Sequence, residues 1–150
     1  MSVSVCLLTG ALLCAVRLPA GSISVAYDGY VICRVRTNAW GLSAYARAVS
    51  VTRRFTAALN VALQRQVAHP ELRQHVRVAR IHGQWVVCYG QAVLITATTA
   101  DARCNNTTPY LLARLWATRF QKAIDMAVGW GNQPRQGSAI WRLCIILPST

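Results

Sequence analysis

The 150-residue chain is long enough for one ordinary domain and too short for two comfortable ones. It is 54% hydrophobic and 13% charged, a composition too apolar for a wholly disordered chain. Its 16 Lys and Arg against 4 Asp and Glu, a formal +12, direct it toward polyanionic partners and starve acid–base catalysis of carboxylates.

Val3 to Val16 is an apolar run followed by Arg17, Leu18 and Pro19. Its length suits an export signal or membrane anchor and is short for a membrane span. No Lys or Arg precedes the run, and bulky Leu18 stands where a signal cleavage site wants a small residue. Residues 1–21 are therefore read as an export or anchor segment, with a buried terminal helix or strand as the alternative.

Ser22 to Arg36 contains two β-rich runs around Asp28-Gly29, the dipeptide of a tight hairpin turn. On the second arm Val31, Cys33 and Val35 alternate with Ile32, Arg34 and Arg36, which predicts both arginines on one face. Ser43 is a helix cap, and a helix is predicted over Ala44–Gln66. Its buried stripe is Ala48, Val51, Phe55, Ala58, Leu59, Ala62 and Leu63, with Arg47, Ser50, Arg54 and Arg65 mostly away from it. His69-Pro70 closes it.

Val76–His82 and Trp85–Tyr89 flank Gly83-Gln84 as a second hairpin, and Ala92–Thr99 adds a third strand by its β-branched content. The facing of Val76–Ile81 is ambiguous from alternation alone. Asp101–Thr107 reads as a polar loop. Thr108 before Pro109 starts a second long helix, to about Val128, whose apolar stripe is Leu112, Leu115, Trp116, Phe120, Ala123, Ile124 and Ala127. Residues 129–150 read as a linker with a short apolar tail. The expected fold is α+β: an antiparallel sheet of two hairpins plus a further strand, covered on one face by two long helices, in the order ββα-βββα.

Six cysteines show no C-x-x-C spacing, and with His69, His75 and His82 they make no zinc pattern. Cys33, Cys88 and Cys144 lie in apolar runs and are expected to be small buried hydrophobes. The three histidines sit at element boundaries, without the Ser or Cys and orienting acid of a nucleophilic site. No enzyme activity, cofactor, metal or small-molecule substrate is expected.

The series Asp28-Gly29 with Val35-Arg36, then Gly41 to Ala48, Val76 to Val86, Val93 to Ala102 and Thr108 to Ala117 carries a resemblance. Over about residues 22–128 it resembles the extracytoplasmic domain preceding the membrane helices of small-conductance-type mechanosensitive channels, notably cyanobacterial ones. The resemblance does not reach a pore, so it implies no channel activity. It implies an accessory or sensory module on the periplasmic, lumenal or outer face of a membrane; the cytoplasm remains open.

The functional expectation is docking on a membrane-protein complex or an anionic lipid surface through Arg34, Arg36, Arg47 and Arg54. One alternative is a nucleic-acid-binding protein, with bases stacking near Trp85, Tyr89 and Trp116. Another is an amino-terminal piece of a mechanosensitive channel.

Overall fold

Tight turns with a left-handed backbone set the strand pairs. In the computed structural model, which describes residues 4–8, 11–17, 22–68 and 74–131, Asp28 and Gly29 both have positive φ, 46° and 77°. His82 and Gly83 repeat the pattern at 47° and 78°. Positive φ at both central residues matches the twist of antiparallel strands, so each pair closes a two-residue hairpin.

The strands are β1 (Ser4–Leu8), β2 (Ala11–Arg17), β3 (Ile23–Tyr27), β4 (Tyr30–Val35), β5 (Val76–Ile81), β6 (Gln84–Tyr89) and β7 (Ala92–Ala97). The helices are α1 (Ala44–Ala68), α2 (Thr99–Cys104) and α3 (Pro109–Gly131). The α+β succession of hairpin, helix, three-strand meander and helix is the expected one. The strands form two antiparallel sheets, β1-β2-β3-β4 and β5-β6-β7. Ser4–Leu8 and Ala11–Arg17, within the stretch read as an export or anchor segment or a terminal helix or strand, are the first two strands of the larger sheet.

Bulges change the facing of two strands. In the β3/β4 pair Val25 opposes Cys33 while Ala26 opposes Val31, so Ile32 is the extra residue. Ile32 and Cys33 are consequently both buried. Strict alternation had placed Ile32 with the arginines; the bulge rotates it into the core and leaves Arg34 and Arg36 exposed. Between β6 and β7 a second bulge singles out Leu94, which is also buried. In β5, Val76 and Val78 pack on the core while Arg77 is exposed, which resolves the ambiguity there.

Helix α1 begins where Ser43 accepts the Ala46 N–H at 3.1 Å and Asn38 accepts the Ala44 N–H at 2.9 Å. Helix α3 begins with Thr108 accepting the Leu111 N–H, followed by Pro109. It continues through Gly131, so the first residues of the expected linker are helical. The segment expected to be a polar loop after β7 contains α2, capped by the Thr98 hydroxyl on the Asp101 N–H. Thr98 and Asp101 stand at the spacing of a capping motif.

The two long helices pack on each other and on both sheets. Phe55 of α1 lies at the junction, edge-on to Tyr27 of β3 at 6.3 Å and to Phe120 of α3 at 5.1 Å. The α3 stripe is buried as expected at Leu112, Trp116, Phe120, Ala123, Ile124 and Ala127. Leu115 departs from it: it is 47% exposed, one residue around the helix from Trp116. Cys33 and Cys88 are buried as expected; Cys144 lies outside the described residues.

This arrangement ranks two large apolar residues. Phe55→Ala is expected to destabilise the domain by about 3–5 kcal/mol and Leu115→Ala by less than about 0.5 kcal/mol, read by urea unfolding. Equal losses would contradict the assignment of Leu115 to the outer surface.

Candidate anion-binding face

Arg34 and Arg36 share one face of the β4 region because they are two residues apart along extended backbone. Helix α3 runs beside them. Together they border a cleft of about 440 Å³ lined by Tyr30, Arg34, Arg36, Asn105, Leu115 and Arg119, with the buried Trp116 and Leu112 beneath. Three arginines line this cleft, and no acidic residue does. Lys122 stands 5.0 Å over the Tyr30 ring and extends the positive surface.

One of the three arginines is held in place. The Arg36 Nη1 donates to the Cys104 carbonyl at the end of α2, 3.0 Å away. Asn105 caps the same helix end, its side-chain amide donating to the Asp101 carbonyl at 2.6 Å. The wall of the cleft is thus the end of α2, and α2 is fixed by Asp101.

Asp101 is fully buried and paired with Arg47, which is only 5% exposed. Arg47 Nη2 meets one carboxylate oxygen at 2.6 Å and Nη1 meets the other at 3.2 Å. The hydroxyls of Thr37 and Thr98 each donate to the carboxylate at 2.7 Å. Arg47 also donates to the carbonyls of Thr37, just after β4, and Thr96, in β7. Its guanidinium lies 5.5 Å from the Trp40 ring. Trp40 has φ 52° and Gly41 74°, the central pair of a tight turn closed by reciprocal hydrogen bonds between Ala39 and Leu42.

Arg47 therefore does not belong to the docking surface expected of it. Its position four residues before Val51 puts it on the buried stripe of α1, and its charge is consumed by Asp101. Arg54 is exposed but lines a different, smaller recess with Arg47, Trp40, Leu42 and Ser50. The structure brings Arg34 and Arg36 together and adds Arg119, which the sequence reading missed. No local spacing marked it, because its place in the cleft comes from α3 running beside β4.

Two of the three rings named for base stacking are buried, and Trp85 is half-buried beside a cleft it shares with Trp40. Trp85 has Tyr110 at 4.7 Å and Arg80 at 5.7 Å. Tyr89 and Trp116 are buried. The thiol of Cys33 is pushed up to about 12, first by burial and then by the charge of Asp101. It stays protonated near neutral pH and is a poor nucleophile. Among the described residues no cluster of His, Cys, Asp and Glu could hold a metal ion. No helix among them is long and apolar enough to cross a membrane.

An α+β domain with an uncompensated arginine cleft is the class the fold and site define. The chain belongs to a family described as a domain of unknown function, DUF8459, whose model matches residues 24–127. No curated protein and no solved structure matches the chain.

Burial raises the Asp101 carboxyl, but hydrogen bonds from Arg47, Thr98 and Thr37, with the charge of Arg47, outweigh it and hold the group below its ordinary value. A carboxyl lowered by folding stabilises the fold fully above the unfolded value, about 3.9, and loses that contribution as pH falls through the folded value. Asp101→Asn is expected to cost about 3–5 kcal/mol at pH 7, because it leaves Arg47 charged and buried. In thermal unfolding the gap to the natural chain should narrow below pH 4. A gap independent of pH would contradict the ionised pair.

Proposed function

We propose that this chain is a non-enzymatic accessory module that docks on an anionic membrane surface through the Arg34–Arg36–Arg119 cleft and the outer face of α3. The observation that supports the reading best is three arginines around one cleft with no carboxylate in its lining. Among the described residues Arg47–Asp101 is the one ion pair, so the exposed arginines keep their charge for a partner. Such a surface attracts anionic lipid headgroups by roughly 1 kcal/mol per basic residue near the membrane.

The apolar residues beside the charges favour a lipid surface over an acidic protein. Leu111 and Leu115 are exposed on α3 at a spacing of four, and Arg114, Thr118 and Lys122 share that side of the helix with one carboxylate, Asp125. Leucines interleaved with basic groups are the composition of an interfacial contact, where side chains enter the headgroup boundary while the cations meet phosphate. The resemblance to a channel's extracytoplasmic domain agrees with a position against a membrane, at its periplasmic, lumenal or outer face. The nucleic-acid alternative retains the charge and the half-buried Trp85 but loses Tyr89 and Trp116 for stacking.

The test is co-sedimentation of the full chain with phosphatidylcholine vesicles, with and without phosphatidylglycerol, across a salt series. Binding should require the anionic lipid and weaken as salt rises. Arg34→Glu with Arg36→Glu should reduce it at least about tenfold, the equivalent of two lost contacts of this strength. Equal, weak binding to both vesicle types would overturn the reading.

A further inference from the structure

The geometry points to a more specific occupant: the Arg34–Arg36–Arg119 cleft seats the phosphomonoester group of a membrane lipid. This inference rests on the docking reading and narrows it from a charged surface to one headgroup chemistry.

A diffuse basic surface needs only net charge, whereas this is a concavity. Its volume of about 440 Å³ lies within the roughly 300–1,000 Å³ of small-molecule sites. A guanidinium presents a planar fork that matches two phosphate oxygens, and three such groups around one cleft can serve three oxygens. A phosphomonoester has three terminal oxygens and a charge of about −1.5 to −2 at pH 7. A phosphodiester has two free oxygens and a single charge, and leaves donors unmatched. The excess of three arginines over no carboxylate is complementary to the more highly charged group.

Two features prepare the cleft for such a guest. Arg36 is already oriented by the Cys104 carbonyl, so less side-chain freedom is lost on binding. Tyr30, half-buried, gives the cleft an apolar wall above the buried Leu112 and Trp116, which reduces the water competing for the guanidinium hydrogen bonds. Leu115 belongs to the same lining and is 47% exposed, while Leu111, 51% exposed, lies one turn away along α3. A phosphate arriving on a lipid would bring its acyl chains toward these leucines. A soluble phosphate would leave them wet, which is why the lipid is the assigned source.

The experiment uses the full chain and vesicles of phosphatidylcholine doped with either phosphatidic acid or phosphatidylglycerol, adjusted to equal surface charge. Phosphatidic acid vesicles should bind about tenfold more tightly, the factor from one additional charge-assisted hydrogen bond. Arg36→Lys and Arg119→Lys keep the charge and the fold but remove the fork; each should abolish the preference while retaining binding to both vesicles. Arg65→Lys, at the far end of α1, should retain the preference. Equal binding of the natural chain to the two vesicles would overturn the phosphomonoester site and leave general docking standing. Failure to bind either would overturn both readings. Glycerol phosphate binding as tightly as the phosphatidic acid vesicles would overturn the lipid assignment.

Discussion

The structure depends on one buried ion pair. Removing a guanidinium and a carboxylate from water costs several kcal/mol per ion, and mutual attraction offsets that only if the remaining polar atoms are also satisfied. Here they are. One Asp101 oxygen accepts from Arg47 and the Thr37 hydroxyl; the other accepts from Arg47 and the Thr98 hydroxyl. Arg47 lies on α1, Thr37 follows β4, Thr96 is in β7 and Asp101 is in α2. A single guanidinium thus joins two separate sheets, a long helix and a short one. Its hydrogen bonds depend on direction as well as distance, whereas apolar contacts among Phe55, Phe120 and their neighbours depend on distance alone.

The surface chemistry follows from the same pair. Asp101 is one of 4 acidic residues in the chain, and its charge is spent inside. The arginines outside are left without that counterion. The pair also sets the shape of the cleft. Asp101 anchors α2, the end of α2 presents the Cys104 carbonyl, and that carbonyl orients Arg36. A change at Arg47 would therefore reach the arginine cleft without touching it, through the position of a six-residue helix.

Much of the architecture was legible in local chemistry. Asp28-Gly29 marked a hairpin turn, Ser43 and Thr108-Pro109 marked helix starts, and apolar residues at steps of three and four marked the faces around Phe55 and Phe120. What was not legible depended on contacts between distant segments. Arg47 has helix-face spacing, yet a charged side chain is normally assigned to solvent. Only the arrival of Asp101, 54 positions later, makes its burial favourable. Ile32 was assigned to the arginine face by strict alternation, which a bulge interrupts. Leu115 was assigned to the core by type, although the helix turns it outward. Of the four arginines named for docking, Arg34 and Arg36 share the cleft, Arg54 lies in another recess and Arg47 is internal. Arg119 completed the cleft because helix α3 runs beside β4, a relation that no local pattern encodes.

The most direct test of the central claim is a double-mutant cycle in urea unfolding with Arg47→Met, Asp101→Leu and both together. If the pair fixes the fold, each single change leaves one charge buried alone, and the double change relieves it. The account predicts a coupling energy of about 2 kcal/mol or more, with the double variant losing clearly less than the sum of the single variants. Simple additivity of the two losses would contradict it.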